Sequence, residues 1–463
     1  MDIIAYWPRM GNPETSGYGQ PGNVGGPCAV WYNGVRTRER AGDTMKRALV
    51  LNGGGSRGAY EIGAWQALSE LGVRFDGVYG TSIGALNAAL FAQGDLDGAV
   101  KLWSNITVKQ IMAVEDEDDF AIGNMIHRKR DVVPFLMENA KHLRMDISPL
   151  EALVKANLDE GRIRASGLRL GVMTCKAPQM TGMPVRLEEM KPGSLGDWVI
   201  ASASCFPIFP ARHIEGQRYI DGGYYDNLPI DMALQDGMDE VVAVELHPYN
   251  SHPEFARMPW LTTVRPLRGL GGFLDFNPDL LRRSRLLGYH DTLKKWERLE
   301  GFLYTFRRVG DLGAAQAARR YMARLNAFDG EVIRRGVTNL GQPVNAPLIA
   351  ALERECEGRR LAWKDVWLRG LELCAEAMGF RVDAVYDAGA LLGRVRAFCA
   401  AQAFGEKFDD AGLAAVAKKG DRALLAFLVQ RLDREGGFPP ETIRRLSESA
   451  SVTAAALFLS NER

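Results

Sequence analysis

The stretch YGTSIGALNAAL, from Tyr79 to Leu90, places Ser82 between Gly80 and Gly84, where an apolar segment gives way to a helical pattern. A serine in this G-x-S-x-G pattern is typical of a nucleophile elbow, a tight strand-to-helix turn that exposes the hydroxyl at the start of the helix. The two glycines remove Cβ atoms that would clash with neighbouring backbone. Serine is also a common helix N-cap, so the pattern alone leaves a purely structural role open.

The sequence around this stretch alternates between short apolar runs and helical patterns. ALVLN is followed by the glycine turn GGGSRG, the helical pattern AYEIGAWQALSEL, the short run GVYG and a second helix from Ile83. This order predicts an α/β fold of three layers, in which helices flank a mostly parallel central sheet. Further strands are predicted at LRLGVMTC, RYI and EVVAVEL.

The glycine turn, Gly53 to Gly58, matches G-x-G-x-x-G between a predicted strand and a predicted helix. Unpaired amides at the start of a helix attract negative charge, which is a dinucleotide pyrophosphate in one class of protein and a reaction oxyanion in another. Dinucleotide binding also needs an acidic residue at the end of the second strand, but Asp76 comes before the GVYG strand. Because Asp76 is at the wrong end of this strand, nucleotide binding at the glycine turn is kept only as an alternative hypothesis.

A serine nucleophile needs a base, and two kinds of candidate are present. Of the histidines, His247 is the best placed, because it follows the predicted strand EVVAVEL. Asp221, in RYIDGGYYDNLPI, comes directly after a predicted strand and before Gly222 and Gly223, which favours a carboxylate presented at a strand end. An Asp-Gly pair is also typical of a hairpin turn. The other histidines are His127, His142, His213, His252 and His290.

Three stretches in this order, GGGSRG, GTSIG and DGGYYDNLP, resemble the oxyanion loop, nucleophile elbow and Asp-Gly-Gly segment of the patatin-like phospholipase family. The resemblance is strong from Arg47 to about Leu234 and extends more weakly toward Leu299. It implies a three-layer α/β fold and a Ser-Asp dyad, without histidine, that hydrolyses lipid acyl esters. Ser82 is then the nucleophile and Asp221 the general base, and no cofactor or metal is expected.

The resemblance also assigns roles to residues around the dyad. The oxyanion hole is expected from the turn residues Gly53, Gly54, Gly55, Arg57 and Gly58, with Gly80 and Gly84 shaping the elbow and Gly222 and Gly223 following the base. The charge of Arg57 would either attract a lipid phosphate or belong to an exposed arginine at a helix start.

Composition limits the possible partners. Lys plus Arg and Asp plus Glu each total 57 of 463 residues, so no net charge attracts nucleic acid. The six cysteines contain no C-x-x-C pair, which argues against a zinc site or a disulfide framework. The sequence has no secretory leader pattern and no apolar run of membrane-spanning length. We therefore expect a cytoplasmic protein, with signal-independent export left open.

The expected partners are a lipid or phospholipid substrate and a transient membrane surface, with a protein activator left open. Four segments are candidates for membrane contact, although core packing explains each of them as well. They are Met258 to Leu261, including Trp260, the stretch GLGGFLDF from Gly269 to Phe276, the segment from Phe120 to Met125, and LLRRSRLLGYHDTLKKW.

Composition along the chain predicts three regions. Residues 1–44 form a Gly/Pro-rich extension and residues 311–463 a helical region, and the resemblance implies that residues 45–310 between them are a patatin-like catalytic domain with its core at 47–234. The alternation breaks between Lys109 and Ile147, where acidic and basic clusters favour a solvated surface insertion over a substrate-gating lid. A scaffolding protein that recruits a partner through the helical region is a further alternative.

Overall fold

The structure, a computed structural model, describes residues 45–113, 146–334 and 362–461. Several predictions concern residues outside these ranges: the N-terminal extension, most of the charged insertion with the Phe120 to Met125 segment, and His127 and His142.

The centre of the fold is one eight-stranded sheet of order β5-β6-β3-β2-β1-β7-β8, with β4 paired to β3. Its strands are β1 Arg47–Leu51, β2 Gly77–Thr81, β3 Arg169–Ala177, β4 Thr181–Arg186, β5 Arg212–Ile214, β6 Gln217–Asp221, β7 Glu240–Val244 and β8 Leu261–Val264. The adjacent strands β3, β2, β1, β7 and β8 run parallel, whereas β4 and β6 pair antiparallel with β3, and β5 pairs antiparallel with β6. The predicted α/β fold class and the three further strands are confirmed.

The central strands are buried on both faces, as expected for parallel strands covered by helices. Leu49 and Leu51 of β1 point into the larger apolar core, whereas the alternating Ala48 and Val50 point into a smaller core on the opposite face. The period of two along the strand therefore supplies both faces with apolar side chains. These two cores separate the three layers.

Helices cover both faces of this sheet. Those of the sheet-containing part are α1 Ala59–Glu70, α2 Ile83–Gln93, α3 Leu96–Asn105, α4 Ser148–Asn157, α5 Glu160–Ala165, α6 Leu195–Ser202, α7 Ile230–Gln235 and α8 Pro278–Lys295.

Helix α8 contains the LLRRSRLL stretch and packs directly on α1. A Cβ atom at Gly63 would lie 1.8 Å from the carbonyl oxygen of Arg285, and one at Gly288 would lie 1.9 Å from that of Tyr60. Glycine at these two positions therefore allows the helix backbones to approach closely. The membrane-contact hypothesis for this helix is weakened, because Leu281 and Leu287 are buried in the core.

The C-terminal part is helical, as predicted, and has its own apolar core of residues between Tyr304 and Leu459. Its elements are β9 Thr305–Phe306, α9 Asp311–Arg334, α10 Trp363–Ala377, β10 Val385–Tyr386, α11 Ala388–Ala401, α12 Asp410–Ala417, α13 Asp421–Glu435, α14 Ile443–Glu448 and α15 Ala450–Asn461. The exact domain boundary near residue 310 stays a prediction. None of the helices described combines the length and apolarity that crossing a bilayer requires.

Candidate active site

The glycine turn follows β1 and leads through a short 3-10 turn, Gly55–Gly58, into α1. The N–H groups of Gly54 and Gly55 donate no hydrogen bond to any of the described residues. The N–H of Gly53 donates to the carbonyl oxygen of Asn227 at 3.0 Å, and that of Arg57 points back to the Gly54 carbonyl at 3.4 Å. Of the predicted donors, Gly53 and Arg57 have amides that are already bonded, whereas Gly54 and Gly55 have amides without a partner among the described residues.

Gly55 has a positive φ of 60°, and a Cβ atom there would lie 2.0 Å from the carbonyl oxygen of Phe273. Glycine is required at this position by both backbone conformation and contact. The same carbonyl accepts the N–H of Ser56 at 2.7 Å, and the Ser56 hydroxyl donates to the Gly272 carbonyl at 2.8 Å. The segment around Gly272 and Phe273 thus holds the glycine turn in shape.

Arg57 is not the exposed arginine at a helix start that one prediction described, and attraction of a lipid phosphate by its charge stays a prediction. Its side chain is buried, and Nε donates to the carbonyl oxygen of Gly271 at 2.8 Å. The guanidinium is therefore a structural contact between the turn and the 271–273 segment, rather than an exposed charge. Gly58 also serves packing, because a Cβ atom there would lie 2.8 Å from the Trp103 ring.

Ser82 lies at the predicted elbow, between β2 and the first residue of α2. Its φ of 56° and ψ of −124° are unusual for a residue with a side chain, and conformations of this kind cost about 1–3 kcal/mol. A Cβ atom at Gly80 would lie 2.2 Å from the Gly84 carbonyl, and one at Gly84 would lie 2.6 Å from the Leu51 carbonyl. The two glycines therefore make the turn sterically possible.

The Ser82 side chain is partly exposed, although the flanking Thr81 and Ile83 are buried. It is the N-cap residue of α2, and its hydroxyl makes no cap hydrogen bond to that helix. The helix dipole places partial positive charge at this end, which favours negative charge developing near the hydroxyl. The local geometry is that of an exposed hydroxyl rather than of a capping serine.

Asp221 ends β6 and pairs with Thr174 of the neighbouring strand β3. Its side chain is 7% exposed, and Oδ1 accepts the N–H of Gly223 at 2.7 Å. Burial raises the pKa of the Asp221 carboxyl from its ordinary value of 3.8 to about 6, although hydrogen bonds with the Ser82 side chain and the Gly223 N–H favour the charged form. The carboxylate therefore has a raised basicity and lies beside the elbow hydroxyl.

The residues after Asp221 form a tight turn rather than a hairpin. A Cβ atom at Gly222 would lie 2.2 Å from the carbonyl oxygen of Met173, and one at Gly223 would lie 2.7 Å from Oδ1 of Asn227. Close backbone contact therefore requires glycine at 222, whereas the atom nearest to Gly223 is the end of the Asn227 side chain. Thr81 connects this turn to the elbow, since its hydroxyl donates to the Asp226 carbonyl at 2.9 Å.

Two asparagines near the site were not assigned a role from the sequence. The Asn227 Nδ2 donates to Oδ1 of Asn52 at 2.7 Å and to the Gly53 carbonyl at 3.0 Å. The backbone carbonyl of Asn227 also accepts the Gly53 N–H. Asn227, which follows Asp221 in the same loop, therefore fixes the start of the glycine turn. Its position in DGGYYDNLP was the only sequence signal for this contact.

Among the described residues, no histidine is shown in contact with Ser82 or Asp221. His247 lies 3.5 Å through Nε2 from the Asn52 amide and 3.2 Å from the Ser251 hydroxyl, and its ring stacks on Tyr249. These contacts give no support to His247 as the base. Among the other described histidines, His213 lies on edge strand β5, His252 contacts Glu254, and His290 lies in α8. The described residues contain no cluster of histidine, cysteine, aspartate and glutamate suited to a metal ion.

Comparison with known proteins identifies the larger share of the sheet-containing part. The family model for patatin-like phospholipases matches residues 49–234. These residues belong to the patatin-like phospholipase family. The match begins within β1 and includes the glycine turn, the elbow and the Asp221 loop of the patatin-like domain.

Several curated relatives share the patatin-like domain. An uncharacterised NTE family protein of Mycobacterium tuberculosis is 28% identical over 321 residues, which are 67% of this chain and 45% of the relative. Patatin-like phospholipase domain-containing protein 7 of Rattus norvegicus is 30% identical over 203 residues, 43% of this chain and 13% of the relative. Lysophospholipase NTE1 of Cryptococcus neoformans is 26% identical over 203 residues, which are 43% of this chain and 11% of the relative. The chain therefore spans less than half the length of these relatives.

Among solved structures, VipD of Legionella pneumophila aligns with a TM-score of 0.38 and 15% identity, covering 91% of this chain and 90% of that one. The type III effector protein ExoU aligns with a TM-score of 0.33 and 15% identity, covering 89% of this chain and 86% of that one.

Proposed function

We propose that this protein is a lipid acyl hydrolase of phospholipase A or lysophospholipase type, with Ser82 as nucleophile and Asp221 as general base. The observation that carries the proposal is the strained, partly exposed Ser82 beside a buried carboxylate, with the unpaired amides of Gly54 and Gly55 on the adjoining turn. Membership in the patatin-like phospholipase family favours lipid esters as the substrate.

In the first step of the proposed mechanism, the Ser82 oxygen attacks the ester carbonyl carbon while its proton passes to Asp221. The negative charge that develops on the carbonyl oxygen is stabilised by the Gly54 and Gly55 amides and by the positive end of α2. When the tetrahedral intermediate collapses, the bond to the alcohol oxygen breaks and that oxygen takes the proton from Asp221. The products are the acyl-enzyme and the free alcohol.

In the second step, water attacks the acyl carbon and gives a proton to Asp221. The Ser82–acyl bond then breaks, the Ser82 oxygen recovers a proton from Asp221, and the fatty acid leaves. A carboxylate with a pKa of about 6 suits both halves of this cycle, because the ideal catalytic pKa lies near the working pH.

The nucleotide-binding alternative has less support. Asp76, the acidic residue at about the required spacing, accepts the N–H of Arg47 at 2.8 Å through Oδ2, and Arg47 is the first residue of β1. Asp76 thus lies at the edge of the sheet opposite the glycine turn, too far away to bind a ribose there. The scaffolding alternative concerns the helical C-terminal region and stays a hypothesis.

The proposed chemistry is tested by labelling the purified protein with a fluorophosphonate probe and mapping the modified peptide. We expect one modified residue, Ser82, and loss of fatty-acid release from a lysophospholipid in proportion to labelling. Modification at another serine, or undiminished release by fully labelled protein, would contradict the assignment.

A cluster of exposed apolar residues, the apolar rim, adjoins the proposed site: Met180, Met183, Phe206 and Tyr225. Tyr225 is 61% exposed and follows the Asp221 loop, with its ring against Gly182, the neighbour of Met183. The Tyr224 hydroxyl donates to the Phe206 carbonyl, which brings Phe206 to the same loop. In contrast, Leu270, Leu274 and Phe276 of the predicted contact stretch GLGGFLDF are buried. We propose the rim as the surface that meets lipid aggregates.

Replacing both Phe206 and Tyr225 with serine is expected to lower hydrolysis of phospholipid vesicles by about tenfold, because two apolar side chains no longer enter the lipid interface. Hydrolysis of a monomeric, water-soluble ester should fall much less. Trp363→Ser is the matched control, since Trp363 is an exposed aromatic residue of α10, in the C-terminal part. An equal loss on both substrates would contradict a role for the rim at the interface.

A further inference from the structure

Ser202, the last residue of α6, is fully buried and contacts the elbow. Its hydroxyl oxygen accepts the N–H of Ser82 at 2.8 Å and donates its own proton to the carbonyl oxygen of Met173 at 2.6 Å. One hydroxyl therefore joins the backbone of the proposed nucleophile to the backbone of strand β3.

The position of this bridge in the sheet explains why it is needed. Thr81 and Met173 form the last parallel pair between β2 and β3, and Ser82 is the next residue after that pair. The unusual backbone angles of Ser82 end the regular pairing at this point, so its N–H needs another acceptor. The Ser202 hydroxyl supplies that acceptor and satisfies the Met173 carbonyl as well.

The bridge also connects the two halves of the proposed dyad. Met173 precedes Thr174, which pairs with Asp221, and the Gly222 Cα lies against the Met173 carbonyl. A shift of the Ser82 backbone relative to β3 is therefore a shift of the hydroxyl relative to the Asp221 carboxylate. Small errors in such distances are costly, because a misplacement of about 1 Å lowers rates by about 10²-fold.

We propose that Ser202 is a positioning residue, whose hydroxyl holds the strained Ser82 backbone in register with Asp221. This inference rests on the proposed function of Ser82 and Asp221. A side chain at this position must accept from an amide and donate to a carbonyl within a fully buried space, which a serine hydroxyl does.

The test compares variants that separate the hydroxyl from packing. Ser202→Ala removes both hydrogen bonds, and we expect kcat on a water-soluble ester to fall about 10- to 100-fold with little change in KM. Ser202→Thr keeps the hydroxyl but adds a buried methyl group, so it should lower Tm while its kcat stays well above that of Ser202→Ala. If Ser202→Ala does not fold, Ser202→Cys replaces it in the comparison. Because a thiol is a weaker donor and acceptor than a hydroxyl, the kcat of Ser202→Cys should lie below those of the wild type and of Ser202→Thr.

Ser204→Ala is the matched control. Ser204 is equally buried, and its hydroxyl donates to the Ile200 carbonyl at 2.8 Å within the same segment. We expect this variant to lose stability with a much smaller change in kcat. Wild-type kcat in Ser202→Ala, or an equal loss of kcat in Ser202→Thr or Ser204→Ala, would overturn the positioning role. A wild-type protein that neither hydrolyses the ester nor reacts with a fluorophosphonate would overturn the proposed function, and this inference with it.

Discussion

Ser82→Ala is expected to lower ester turnover by about 10⁴-fold or more, because the acyl-enzyme cannot form without the hydroxyl. The variant should fold normally, since alanine leaves the N–H bond from residue 82 to Ser202 intact. Ester hydrolysis measured with excess substrate, after removal of any contaminating esterase, checks this result. Turnover within tenfold of wild type would exclude Ser82 as the nucleophile.

Ser82→Gly provides a second measurement on the same residue. Glycine adopts a positive φ without strain, whereas the wild-type serine is held at 56°. Relief of about 1–3 kcal/mol of backbone strain should exceed the entropic cost of a glycine, about 0.5–1 kcal/mol. We therefore expect Ser82→Gly to be inactive and more stable to urea than Ser82→Ala. A less stable glycine variant would show that the elbow is not strained.

Asp221→Asn is expected to abolish ester hydrolysis, because an amide cannot accept the Ser82 proton. The asparagine side chain of this variant can still accept the Gly223 N–H through its amide oxygen, so the loop should keep its shape. In the wild type, turnover should rise with pH through about 6, where the Asp221 carboxyl loses its proton. A wild-type profile without that rise, or substantial turnover by the variant, would contradict a role for Asp221 as the base.

The same raised pKa predicts that Asp221 costs stability. The pKa of Asp221 is 3.8 in an ordinary setting and about 6 in the folded protein, so the fold binds this proton more tightly than the unfolded chain does. That stabilisation is complete below about pH 3.8 and is lost as the pH rises to about 6. A shift of this size corresponds to up to about 3 kcal/mol. Asp221→Asn should therefore exceed the wild type in stability at pH 8, with a smaller difference near pH 4.5. Urea unfolding at the two pH values measures the difference, and an equal difference at both would contradict the prediction.

The sequence predicted the α/β fold because its alternation of apolar runs and helical patterns is local. The elbow and the Asp221 turn were also predictable, since each is a short stretch with glycines at characteristic positions. Ser202 could not be found in this way, because it lies 120 residues from the Ser82 amide that it binds. The Asn227–Asn52 contact joins residues 175 apart, and the DGGYYDNLP stretch does not indicate Asn52 as the partner.

The glycine turn shows the same limit in more detail. The pattern identified a group of amides but could not show which of them are already bonded. Only the fold reveals that the Asn227 carbonyl accepts a hydrogen bond from the Gly53 N–H. Only the fold likewise reveals that Arg57 is buried against the 271–273 segment. The sequence could not show that the Arg57 side chain is buried, since the Gly271 carbonyl that it binds lies 214 residues away.

The contacts of β1 and of the glycine turn also determine how the chain can be divided. Strand β1 pairs on one side with β7, and the glycine turn is held by residues 271–273, all of which follow the family match at residues 49–234. A fragment cut at the family boundaries would expose an unpaired, apolar strand edge at the middle of the sheet, where aggregation begins readily. A fragment made to isolate the patatin-like domain should therefore extend at least through α8.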